Sequence, residues 1–95
     1  MVSLIQQKKD NYQIILKEIK DKCRQLNIFL IYDKLENDGG LCKYKNKIYI
    51  IINKFFSDEE KLNIFFNEIV NTDFADEFKE YKERYDIIKY TEHAQ

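Results

Sequence analysis

The chain of 95 residues is expected to fold as one α+β domain in the order α-β-β-β-α-α, three helices packed on a small three-stranded sheet with a β-hairpin. Three observations lead there. Apolar residues recur at helical spacing in three separate stretches. Between the first and second of these lie short runs rich in Ile, Tyr and Phe, the residues that suit a pleated surface. No proline, repeat or polar linker divides the chain, so residues 1–95 share one core.

Taken in order, Tyr12, Ile15, Leu16, Ile19, Cys23 and Leu26 fall on one stripe of a helix spanning about residues 3 to 25. Ile28 to Tyr32 is a short strand, ended by the polar "DKLENDGG", in which Gly39 and Gly40 allow a turn into the next element. Leu41 to Tyr44 and Lys47 to Asn53 form a hairpin turning at Lys45-Asn46, because Asn accepts the left-handed backbone that a tight turn needs. The run "IYIII" is apolar on both faces, which places its strand centrally or covers it on both sides. Ser57 with Glu60 makes a capping box for a second helix that buries Leu62, Phe65, Phe66 and Ile69. Thr72-Asp73 is read as the cap of a third helix with the stripe Phe74, Phe78, Tyr81, Tyr85 and Ile88.

Composition restricts the function. Hydrophobic residues make up 44% of the chain and aromatics 15%, enough for a domain this small to bury its own interior. Sixteen basic residues stand against seventeen acidic ones, so no overall positive charge is available to neutralise phosphates. No apolar run approaches the length of about 20 residues that spans a bilayer, and the start "MVSLIQQKKDNYQ" has no charged leader before an apolar stretch. The expectation is a cytoplasmic protein. In that setting Cys23 and Cys42 are expected as small buried apolar groups, one on a helix face and one on a strand, in preference to a disulfide.

The stretch "FFNEIVN", residues 65 to 71, bears on catalysis. With histidines at Asn67 and Asn71 it would read as the H-E-x-x-H of a zinc peptidase helix. More broadly, "LNIFLIYDKLENDGGLCKYKNKIYIIINKFFSDEEKLNIFFNEIVN" resembles the core of the ImmA/IrrE family of zinc-peptidase-like domains over about residues 23 to 71. The likeness lies in the order of its parts: a strand ending near an acidic loop, a glycine before a hairpin, a strand closing on Asn, an acidic helix start and then the peptidase helix. The resemblance implies that Asn67 and Asn71 replace the two zinc ligands and that Glu68 holds the place of the general base. Zinc binding on such a helix needs two imidazoles one turn apart, and a carboxamide does not substitute for them. Without the ion Glu68 has no activated water to deprotonate. The chain therefore looks like a disarmed member, with no catalytic residue, metal or cofactor.

Other constellations are weaker. Glu68 with Asp73, Asp76 or Glu77 offers oxygen ligands of the kind Ca²⁺ or Mg²⁺ takes, but no spacing fixes them as a cage. A small-ligand or metal site built on Asn67, Glu68 and Asn71 is one alternative function. "KYKNKIY" interleaves Lys43, Lys45 and Lys47 with Tyr44 and Tyr49, a pattern by which single-stranded nucleic acid is held; nucleic-acid binding through this hairpin is a second alternative. Gly39-Gly40 lacks the surroundings of a phosphate loop, and neither cysteine has a histidine near it in sequence, the only one being His93. What remains is an excess of apolar surface: Tyr81, Tyr85 and Ile88 on the third helix, and Tyr44 and Tyr49 on the sheet face opposite Leu41, Ile48, Ile50 and Ile52. The preferred function is a non-catalytic interaction or self-association module, with a homodimer or another protein as partner through the C-terminal helix or the second sheet face.

Overall fold

Ser3 opens the first helix by accepting the Gln6 backbone N–H on its hydroxyl at 3.1 Å. In the computed structural model, which describes residues 3–34 and 39–91, this helix α1 runs Leu4–Gln25. It stops because Asn27 takes a positive φ of 59°, the left-handed conformation that ends many helices and that Asn tolerates. The chain then reverses directly into strand β1, Ile28–Asp33.

Strands β2, Gly39–Tyr44, and β3, Lys47–Asn53, form the expected hairpin. Lys45 and Asn46 both carry positive φ, 50° and 65°, the combination whose twist suits a two-residue hairpin turn. The sheet order is β1-β3-β2, so β3 is central. It pairs antiparallel with β2 and parallel with β1, with Ile28 beside Ile48 and Leu41 beside Ile50. The "IYIII" run is thus central by position, although the helices cover only one of its faces.

Helix α2, Asp58–Ile69, starts at Ser57, whose hydroxyl accepts the Glu60 N–H at 3.2 Å. Glu60 closes the box differently from expectation: its carboxylate accepts from the Ser57 hydroxyl at 3.1 Å and does not reach the Ser57 N–H. Asp58, Glu59 and Glu60 sit in the first turn, where the helix dipole favours negative charge. Leu62, Phe65, Phe66 and Ile69 are buried, as their spacing requires.

The third helix departs from the sequence reading at its start. Thr72 does accept a backbone N–H on its hydroxyl, that of Phe74 at 3.1 Å, but this closes a turn and caps no α-helix. A single 3₁₀ turn, Ala75–Phe78, follows without any side-chain cap, and α3 proper is Lys79–Thr91. The tighter turn drops Phe78 fully into the core, against Phe65 at 5.0 Å between ring centroids.

Helices α1 and α2 lie on one face of the sheet, α3 packs against α1, and the core forms between them. Tyr12, Ile15, Leu16, Ile19 and Cys23 of α1 and the α2 stripe meet Ile28, Ile50 and Ile52 of the sheet and Phe78 and Tyr85 of the third helix. Two ion pairs tie α1 to the C-terminal region: Arg84 to Glu18 at 2.7 Å, and Lys22 to Glu77 at 3.1 Å. Cys23 is buried, as expected. Cys42 is exposed, contrary to expectation, because its position alternates onto the sheet face that no helix covers. No helix among the described residues is long and apolar enough to cross a membrane.

Candidate interaction surface

Strand alternation sorts the sheet into a covered and an open face. Leu30, Ile50 and Leu41 stand side by side across the three strands and point at the helices. The intervening row, Phe29, Tyr49 and Cys42, points the other way, with Ile31 beside Ile51 and Tyr44 beside Lys47. None of Phe29, Ile31, Tyr44, Tyr49 and Ile51 belongs to the core or packs against it.

The open face is ordered within itself. The Phe29 and Tyr49 rings stack with centroids 4.9 Å apart and planes 18° from parallel. The ammonium groups of Lys47 and Lys45 lie 5.5 Å and 5.4 Å from the Phe29 and Tyr44 ring centroids, within cation–π range. Yet the face remains wet: Phe29 and Ile31 are each 39% exposed and Tyr44 59%. Three large apolar side chains presented together on one side of a sheet form a contiguous patch of a kind that marks interaction sites.

The five interaction candidates on Tyr and Ile separate in space. Tyr44 and Tyr49 lie on the open face. Tyr85 is 2% exposed and sits inside the core between Tyr12 and Phe66, which removes it from the surface. Tyr81 and Ile88 are half-buried flanks of that core, and the exposed apolar groups of α3 are Ile87 and Tyr90. Sequence reasoning placed no residue of β1 on the open face. The signal was present, since Phe29 and Ile31 alternate with the core residues Ile28 and Leu30, but it becomes usable only once β1 is registered against β3.

Asn67, Glu68 and Asn71 stand on the last turn of α2 and in the turn after it. Asn67 and Asn71 are exposed, and α2 ends at Ile69, so Asn71 falls in the turn beyond it, where its amide donates to the Asn67 carbonyl at 3.4 Å. The half-buried Glu68 leans toward the sheet, its carboxylate 4.0 Å from where a Cβ on Gly40 would stand. Surface concavities lie elsewhere, among them one of about 520 Å³ between α1 and the start of α2, lined by Lys9, Tyr12, Phe56 and Glu59. Among the described residues no three His, Cys, Asp or Glu side chains gather to hold an ion. His93 and the acidic loop at residues 35–38 lie outside the described residues.

The hairpin lysines do not share one side. Lys47 belongs to the open face, Lys43 stands opposite Ile48 on the other, and Lys45 is in the turn. The Cys23 thiol is pushed up to about 12 by burial, which leaves it inert as a nucleophile.

Comparison with protein-family models, curated proteins and solved structures finds no match for this chain.

Proposed function

We propose that this protein is a small non-catalytic interaction module whose docking surface is the open sheet face. The observation that supports this most is the row of Phe29, Ile31, Tyr44, Tyr49 and Ile51, apolar side chains left outside a core that the other sheet face and three helices already complete. Tyrosine and phenylalanine are well suited to such a role, since they contribute large contact area with few rotatable bonds.

The absence of catalysis is part of the same reading. It rests on Asn67 and Asn71 standing where an ImmA/IrrE-like peptidase helix would carry its imidazoles, and on the helix ending before the second of them. In this reading the ImmA/IrrE-like frame is kept for its shape, and the chemistry of the helix has been given up. Solvent-facing amides at these two positions suit a polar outer surface and no ligand cage.

A photo-cross-linking residue at position 31, compared with one at the exposed position Lys17 on α1, tests the docking face in extracts of the source cell. Discrete adducts from position 31 and none from position 17 are expected. Adducts from position 17 alone, or from neither, overturn the reading.

A further inference from the structure

The open face is not uniform in charge. Lys47 stands at the start of β3 and belongs to this face, as its approach to the Phe29 ring shows. Asp33 stands at the far end of β1, paired with Asn53 and on the same side as Phe29 and Ile31. Six residue steps at about 3.3 Å separate the two levels, so a cation and an anion cap opposite ends of an apolar patch roughly 20 Å long. Between them lie Phe29, Ile31, Tyr49, Ile51 and Cys42. Lys34 and Lys54 follow one residue beyond the acidic end, outside the paired strands, and the Lys54 ammonium lies over the Phe55 ring at 5.3 Å.

Resting on the reading of this face as a docking surface, we infer that its occupant is a second copy of the chain, stacked face to face with the strands reversed. Two in-plane two-fold axes can bring identical faces together. An axis along the strands and over β3 lays Lys47 over Lys47 and leaves each Asp33, on an outer strand, away from the partner's Lys47. An axis across the strands lays β3 over β3 with ends exchanged, so each Lys47 meets the end of the partner sheet where Asp33 stands on the adjacent strand about 4.8 Å away. Two opposite-charge contacts then replace the one between like charges, and the charge pattern selects the reversed stack. The apolar middle is symmetric enough to accept it, with the level of Phe29 and Tyr49 meeting the partner's level of Ile31 and Ile51 at the sheet-on-sheet spacing of about 10 Å. Three strands about 4.8 Å apart and about 20 Å long give a patch of roughly 300 Å² per chain, below the standard size of specific interfaces, so the association is weak and its strength depends on the charged ends.

The test is light scattering on the full chain and on charge-reversed variants between about 1 µM and about 1 mM, the range in which weak interfaces associate. The wild type is expected to rise from the 11.6 kDa chain mass toward twice that value. Lys47→Glu alone and Asp33→Lys alone should each weaken association about tenfold, because both contacts turn from attraction to repulsion. An equimolar mixture of the two variants should recover it. In the mixed pair the carboxylate introduced at position 47 of one chain meets the ammonium introduced at position 33 of the other, and the unaltered Asp33 and Lys47 meet at the second contact. Both positions are exposed, and an unchanged urea midpoint for each variant confirms that folding is intact. A wild-type mass that stays at one chain throughout overturns the second-copy inference. So does a mixture that fails to recover. If the wild type stays monomeric while position 31 still cross-links to a chain of different mass, the docking reading survives and only the identity of the occupant is wrong; if cross-linking also fails, both fall.

Discussion

Gly39 approaches the backbone of Ile51 so closely that a Cβ at this position would overlap the Ile51 carbonyl oxygen and stand 2.8 Å from its carbonyl carbon. The residue also holds φ at +96°, outside the range an L side chain adopts without strain. Gly39→Ala must therefore push β2 off the central strand at its first position. A loss of about 3 kcal/mol is expected, combining backbone strain with overpacking. Urea denaturation checks it, and a midpoint equal to the wild type would mean that β2 pairs with β3 differently from the register given above.

Phe65 is fully buried and meets Phe66 and Phe78 edge-to-face, with ring planes 76° and 73° apart. Phe65→Ala leaves a hole at the junction of sheet, α2 and the 3₁₀ turn, and about 3 to 5 kcal/mol of stability should go with it. In a domain of this size that is a large share of the total. Chemical denaturation with the slope unchanged and the midpoint lowered is the expected record.

Burial raises four acids together, Tyr12 among them. The Cys23 thiol moves from 9.0 to about 12, and the Tyr32 and Tyr85 phenols from 10.0 to about 12, desolvation being the first cause in each. A raised folded pKa means that the unfolded chain releases its proton first. The contribution of these groups to stability is therefore complete below about pH 9, falls first through Cys23 and then through the tyrosines, and is lost progressively toward pH 12. The Tyr85 hydroxyl is buried without a hydrogen-bond partner, so Tyr85→Phe should be neutral or stabilising by about 1 kcal/mol at neutral pH and should flatten the alkaline decline. A midpoint that drops at neutral pH on this substitution would show that the hydroxyl is satisfied by some other group.

Metal analysis addresses the peptidase-like helix. Protein purified without chelator should hold no stoichiometric zinc and cleave no peptide, since Asn67 and Asn71 offer no imidazole. Asn67→His with Asn71→His should gain only weak zinc affinity, because α2 ends at Ile69 and the second histidine would stand beyond the last helical turn. Tight binding by the double variant, measured by competition with a zinc dye, would show that the helix extends further than Ile69 when a metal rewards it.

The sequence made the order of elements legible because each carries its own period. Tyr12 to Leu26 repeats at helical spacing, and Lys45-Asn46 specifies a two-residue turn whatever surrounds it. The start of the third helix was not legible, since Thr72-Asp73 has the chemistry of a cap and only packing decides that a 3₁₀ turn intervenes to bury Phe78. From the sequence Tyr85 falls both on the apolar stripe of the third helix and among the interface candidates, because a tyrosine ring suits a core and an interface alike. Cys42 was misplaced for a related reason: alternation says that it opposes Leu41, but not which of the two faces the helices occupy. The open face itself depended on β1 lying beside β3, a pairing between residues about twenty positions apart that no local pattern announces.

That pairing also sets a timetable. The hairpin joins neighbours across a two-residue turn and can close within about 1 to 10 µs, whereas β1 has nothing to align against until the β3 edge exists. We expect the hairpin to form early and the parallel strand to be added late. Asn46→Ala should then slow refolding, while Leu30→Ala should leave refolding nearly unchanged and speed unfolding. The reverse pattern of rates would place β1 in the nucleus. A late β1 leaves the growing chain with the apolar edge of β3 open for a time, and any copy nearby can reach that edge before its own first strand does.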